Sequence, residues 1–227
     1  MVRPSGPLSA FVLPFDDRIS FVEHFLRPPT VNASVGVANN LDFEILGTGA
    51  SDGDATIDAE GGTKLETDAS ANQQVILLPH LDSGQSAWTG VTWGTDREVW
   101  WAAGIKIGAA APDIVWAGLK LTNTATVATD ADQAFFRAAA TENIKAVYSI
   151  GGVDTEVDTG VALAAATVYD LRIVIDSDRL AHFFINGALV ASSTALTDAI
   201  DLIPYAGVQG NAKSITVRHM AISRNAA

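Results

Sequence analysis

"VYDLRIVIDSDRLAHFFINGALV", residues 168–190, decides the fold class. Apolar and β-branched residues run from Val168 to Ile175, break at Asp176-Ser177-Asp178, and resume from Leu180 to Ile185. A charged tripeptide between two such runs reads as a turn. Asn186-Gly187 is the dipeptide that tight hairpins favour, because both residues accept a positive φ. The stretch therefore predicts three strands joined by two turns. His182 is read as a strand residue rather than a ligand, and Asp176 and Asp178 as parts of a solvated turn.

The same texture extends outward. "REVWWAAGIKIG" (97–108) alternates with period two. Val99, Trp101, Ala103, Ile105 and Ile107 fall on one face, and Glu98, Trp100, Ala102, Gly104 and Lys106 on the other. This is the pattern of a strand with one buried face, and it sends one of Trp100 and Trp101 inside and the other outside. "DIVWAGLKLTN" (113–123) follows as its candidate partner, with Val115, Ala117, Leu119 and Leu121 opposite Ile114, Trp116, Gly118 and Lys120. "DATIDAEGGTKLETDA" (54–69) reads as two short strands around Gly61-Gly62, and "NQQVILLPHL" (72–81) as a strand stopped by Pro79. "TVATDADQAF" (126–135) is Ala-rich but sustains no 3.6-residue apolar stripe. The tally is twelve to fourteen short strands with no fixed-period repeat. It predicts an all-β sandwich over 21–227, preceded by an extended N-terminal arm over 1–20.

That arm combines Pro4, Pro7 and Pro14 with Phe11, Val12, Leu13 and Phe15. Prolines keep such a segment extended, and its apolar side chains need burial on this subunit or a neighbour. The prolines and Asp16-Asp17 also interrupt the apolar run that a secretory signal requires. Among 227 residues, 48% are hydrophobic and 18% charged, which suits a large core. The net charge of −12 opposes binding to nucleic acid or anionic membranes, since polyanion affinity comes from Lys and Arg neutralising phosphates. The chain has no cysteine, which excludes disulfides, thiolate metal sites and cysteine nucleophiles.

Motifs that would carry chemistry are incomplete. His24, His80, His182 and His219 are scattered, without metal-ligand spacing. Asp52 and Asp54 begin like a calcium loop, but Thr56 stands at the next ligand position. Asp130 with Asp132, and Asp176 with Asp178, offer equally partial pairs, so calcium is a weak possibility and no other cofactor is expected. Sandwich glycosidases of the laminarinase-like kind place two carboxylates on one strand in an E-x-D-x-x-E run. "EVDTGV" supplies Glu156 and Asp158 but has Val161 where the acid would stand, so the chain is expected not to be an enzyme. Trp88, Trp93, Trp100, Trp101 and Trp116 cluster within 29 residues. Exposed members could stack on sugar rings, and buried ones would fill a core or a subunit interface.

The run "TVYDLRIVIDSDRLAHFFINGALVASSTAL" (167–196) resembles the C-terminal hairpin of laminin-G-like, or concanavalin A-like, jelly-roll domains. In these families a Y-x-L-x-I strand leads through a turn into an F-x-I-N-G strand. "FVEHFLRPP" is similar to their opening strand, which often pairs with the last one, here "SITVRHMAIS". "DATIDAEGGTKLETDA", "DIVWAGLKLTN" and "TDADQAFFR" resemble virion structural proteins of tailed bacteriophages. The resemblance spans about residues 20–224. It implies two antiparallel sheets, one of them concave, with rim loops that in laminin-G-like relatives bind calcium or glycans. Its first functional implication is a non-enzymatic virion protein, a capsid decoration or cement protein on the capsid surface. Such a protein would fold in the host cytoplasm, bind the major capsid protein or other virion proteins, and form a homo-oligomer (dimer or trimer). Phe11, Val12, Leu13, Phe15 and Trp100 are its expected contact residues. The second is a carbohydrate-binding adhesion module that grips a cell-surface glycan through Trp88 and Trp93.

Overall fold

The computed structural model describes residues 18–26, 31–32, 43–70, 72–79, 91–121 and 130–226. These form sixteen strands. The first eight are β1 (Arg18–Glu23), β2 (Val31–Asn32), β3 (Phe43–Leu46), β4 (Ala55–Ile57), β5 (Thr63–Glu66), β6 (Gln73–Pro79), β7 (Trp100–Ile107) and β8 (Ile114–Lys120). The rest are β9 (Gln133–Ala139), β10 (Asn143–Ile150), β11 (Val153–Ala162), β12 (Val168–Ile175), β13 (Leu180–Ile185), β14 (Ala188–Ala195), β15 (Ile203–Gly210) and β16 (Ser214–Asn225). The count exceeds the expected range because pieces as short as β2 and β4 carry too few residues to show a period.

The strands build two eight-stranded sheets. The first runs β14-β13-β12-β7-β16, and the far edge of β16 is shared. β5, with β4 beyond it, flanks Ser214–Val217, while β1 flanks Met220–Asn225. The second runs β11-β10-β9-β8-β15-β6-β3-β2. Pairing is antiparallel throughout except between β2 and β3. This is the jelly-roll sandwich predicted, including the pairing of the first strand with the last. Because Arg18, Ile19 and Ser20 already pair with β16, the end of the expected arm belongs to the first sheet. Phe11, Val12, Leu13 and Phe15 lie outside the described residues.

The hairpins behave as read. Asn186 (φ 51°) and Gly187 (φ 82°) form the tight turn between β13 and β14, and Gly61 and Gly62 (φ 89° and 105°) close the β4–β5 hairpin. Between the sheets, Trp101, Ile105, Ile173, Phe183, Val217 and Ile222 interleave with Val115, Leu119, Phe136 and Val208. Each such side chain contributes about 1.5–3 kcal/mol by leaving water. The pairing expected between β7 and β8 fails, since β7 lies between β12 and β16 in the first sheet and β8 between β15 and β9 in the second. β8 is buried on both faces, because Trp116 joins Leu46, Ile76, Leu78, Phe135, Val147 and Tyr205 in a second apolar cluster on the far side of its sheet. A strand buried twice shows no hydrophobic alternation, so its sequence understated its burial.

Candidate functional site

The first sheet turns one face to the core and the other outward. On the outer face, antiparallel register sets Trp100 of β7 between Ser223 of β16 and Val174 of β12. One step along lies Ala102 between Ala221 and Arg172, and then Gly104 between His219 and Asp170. β1 extends the first two rows with Ser20 and Val22. Of these, Trp100, Ser223, Val174, Ala221, His219, Ser20 and Val22, with Arg18, His24, Glu98, Asp176 and Ser177, surround an open depression of about 810 Å³. That volume is in the range of small-molecule sites. Trp100 is half-buried there and Trp101 fully buried, which resolves the alternation.

Local devices place each group. β16 carries a bulge between Val217 and His219, with Arg218 as the extra residue. Without it, period two would turn His219 to the core and Met220 outward. With it, Met220 is buried and His219 lies on the outer face beside Ala221 and Ser223. Gly104 makes room for it, since a Cβ there would stand 2.7 Å from both Cε1 and Nδ1 of the His219 ring. His24, just past β1, brings its ring centroid to 6.3 Å from that of His219. At the other end Glu98 adopts a left-handed conformation (φ 49°) before β7, and its carbonyl accepts a 2.8 Å bond from Arg18 Nη2. Arg18 also donates through Nη1 to Asn225 Oδ1 at 2.6 Å and through Nε to Ser223 Oγ at 3.2 Å. Its guanidinium thus ties β1, β16 and the entry to β7 into one wall.

The site mixes donors and acceptors. Burial holds the His219 imidazole below the ordinary histidine range; Asp170 pulls it upward and His24 presses it down again. Burial pushes the Asp176 carboxyl up, but bonds from His182 and the Leu180 and Asp178 amides outweigh this and hold it low. His182 Nε2 donates to Asp176 Oδ2 at 2.8 Å, and Nδ1 pairs with Ser192 Oγ at the same distance. His182 is therefore a strand residue that locks the β12–β13 turn, and Asp176 serves both the turn and the depression.

Other sequence candidates fare differently. Trp93 is 2% exposed, edge-on to Phe21 at 5.7 Å, with its amide donating to Asp201. A ring enclosed in the core cannot stack on a sugar, so its assignment to glycan contact is corrected. Trp88 and His80 lie outside the described residues. The aspartates read as calcium candidates spend oxygens on protein donors. Asp54 accepts from the Ser51 amide and Gln73, Asp132 from Thr197, and Asp130 lies 3.6 Å from the Lys120 ammonium. Among the described residues no three His, Asp or Glu side chains converge as metal ligands. Glu156 sits on the edge strand β11 between Lys145 and Arg137, and Asp158 accepts from Asn143. The groups that reading the sequence missed are Arg18, His24, Glu98 and His219. They stand far apart in the chain, and only the β1–β16–β7 pairing gathers them.

A second polar group lies on the far side of the second sheet. Lys120 is wholly buried, with its ammonium 5.5 Å from the Tyr205 ring centre. Burial lowers its pKa against the opposing pull of Asp130 and Glu44. Its enclosure makes it part of the packing of that face, whereas the depression around Trp100 is open.

No family model matches the sequence, and no curated protein does. Solved structures do. A protein of unknown function from Shewanella oneidensis MR-1 is similar at TM-score 0.60 and 13% identity, over 93% of this chain and 89% of that one. The Bacillus licheniformis β-glucanase gives 0.58 and 13%, over 89% and 97%. The lectin UEA-II, solved with galactose, gives 0.57 and 11%, over 92% and 99%. At such identities the likeness establishes the concanavalin A-like fold alone.

Proposed function

We propose that this protein is a carbohydrate-binding module that holds a glycan on the outer face of its first sheet. The observation that carries the reading is the open depression in which the half-buried Trp100 ring is bordered by hydroxyl, imidazole and carboxylate groups. Sugars present apolar C–H faces and a rim of hydroxyls. An aromatic ring flanked by mixed donors and acceptors complements both. The similarity in fold to a galactose-bound lectin and a β-glucanase supports the same class of ligand. We read the protein as a binder rather than a hydrolase, because Glu156 is held by Lys145 and Arg137 on an exposed edge strand. The test is a glycan array followed by calorimetry with the wild type and Trp100→Ala. Loss of at least about tenfold in affinity is expected, about 1.4 kcal/mol. Unchanged affinity in the variant would remove Trp100 from the site.

The virion role implied by the sequence resemblance is a second reading, and it uses the same surface. Val22 and Leu189 are 53% and 58% exposed on that face, apolar anchors of the kind protein contacts use. Co-sedimentation with undecorated phage heads tests it. Binding that Val22→Asp and Leu189→Asp leave intact would refute that contact surface.

A further inference from the structure

The outer face of the second sheet encloses charged groups in an apolar setting. On β8, Val115, Ala117 and Leu119 face the core, so Trp116, Gly118 and Lys120 face outward. Asp130, just before β9, brings Oδ2 to 3.6 Å from the Lys120 ammonium, and the two side chains are 3% and 0% exposed. That ammonium lies 5.5 Å from the Tyr205 ring centre, and the Phe135 ring packs on Tyr205 at 6.3 Å. Glu44 of β3 is wholly buried on the same face, two positions from Leu46, and its charge acts on Lys120. The other lysine–carboxylate pairs among the described residues, Lys64–Glu66, Lys106–Glu60 and Lys145 with Glu142 and Glu156, are partly exposed.

An enclosed ion pair carries a desolvation cost that its own attraction offsets poorly. Proton transfer within the pair relieves that cost, and condensation removes both charges altogether. Burial already drives Lys120 toward its neutral amine, against the pull of Asp130 and Glu44. A desolvated neutral lysine is a nucleophile. The Asp130 carboxyl carbon is one bond from the oxygen at 3.6 Å. A small torsion of either side chain therefore brings nitrogen and carbon to the about 3–3.5 Å of a near-attack geometry.

From this arrangement we infer that Lys120 and Asp130 condense into an intramolecular isopeptide bond, with Glu44 as the proton carrier. The Lys120 ammonium gives one proton to the Asp130 carboxylate, leaving an amine and a carboxylic acid. The amine lone pair attacks Cγ and forms the C–N bond, while the C=O π pair moves onto oxygen. Glu44 takes a proton from the nitrogen and delivers it to the Asp130 hydroxyl. The C–O bond then breaks, the carbonyl re-forms and water leaves. Ammonium and carboxylate have become amide and water, with no change of oxidation state and no outside reactant. The bond ties the end of β8 to the approach to β9. It lies on the other sheet from the depression around Trp100 and does not depend on what that depression binds.

The experiment is mass spectrometry of the full chain, folded at neutral pH and then digested with trypsin in denaturant. The expected product is a single peptide, Ile107–Arg137, lighter than its sequence by one water and uncut after Lys120, because an acylated lysine is not a trypsin site. Lys120→Arg and Asp130→Ala should each abolish the loss of water. Glu44→Gln, shown by its melting temperature to be folded, should lower the crosslinked fraction at least about tenfold. A wild-type chain of full mass that trypsin cuts after Lys120 would overturn the bond. Loss of water with cleavage after Lys120 intact would also overturn it, since that marks a succinimide at an aspartate. Full crosslinking in Glu44→Gln would overturn the role of Glu44.

Discussion

Trp100 and Trp93 stand seven positions apart, yet their burial gives them opposite roles. Trp93 fills the core beside Phe21, so Trp93→Ala should cost about 3–5 kcal/mol of stability, measured by urea unfolding, through lost burial and the cavity left behind. Trp100→Ala should cost far less stability and act on binding instead. His219 adds a pH dependence. Because burial holds its folded-state pKa below the ordinary value of 6.5, the unfolded chain takes up a proton first as the pH falls. The unfolded state then binds more protons, so this contribution to stability is complete above about pH 6.5 and is lost as the pH drops below it. His219→Asn should flatten the difference in unfolding free energy between about pH 7.5 and about pH 5.5. An unchanged difference would place the titration elsewhere.

The β16 bulge decides which residues the outer face presents. Deleting Arg218 restores an uninterrupted alternation, which would drive His219 into the core or slip the strand by one residue. Severe loss of thermal stability is expected, with little change for Arg218→Ala, which keeps the extra residue. Gly104→Val places a branched side chain where the His219 ring lies and should displace that imidazole, visible as a changed histidine NMR titration. At this scale much was legible in the sequence. The turns at Asp176–Asp178 and Asn186-Gly187 and the period-two face of β7 follow from local chemistry, whereas the pairing of first and last strands was implied by the family resemblance. The double burial of β8 was not legible, since a strand covered on both faces has no polar side to reveal its environment. The bulge was equally hidden, because no residue in "SITVRHMAIS" marks it.

In the whole molecule, long-range pairing assembles the site. Arg18 and Asn225 are hydrogen-bonded across nearly the full chain, and His24 meets His219 only because β1 docks on β16. Sequence reading looked for glycan contacts near Trp88 and Trp93, where aromatic residues cluster locally. Trp93 is buried, and among the described residues an open aromatic surface forms at Trp100, where three distant segments meet. The central claim is that a glycan lies on the outer face of the first sheet. It is tested most directly by indole and imidazole NMR during titration with the oligosaccharide that binds best. Shifts at the Trp100 indole, His24 and His219, with Trp93 and Trp101 unmoved, are the predicted result. Saturable binding that leaves Trp100 and both histidines unmoved would contradict it.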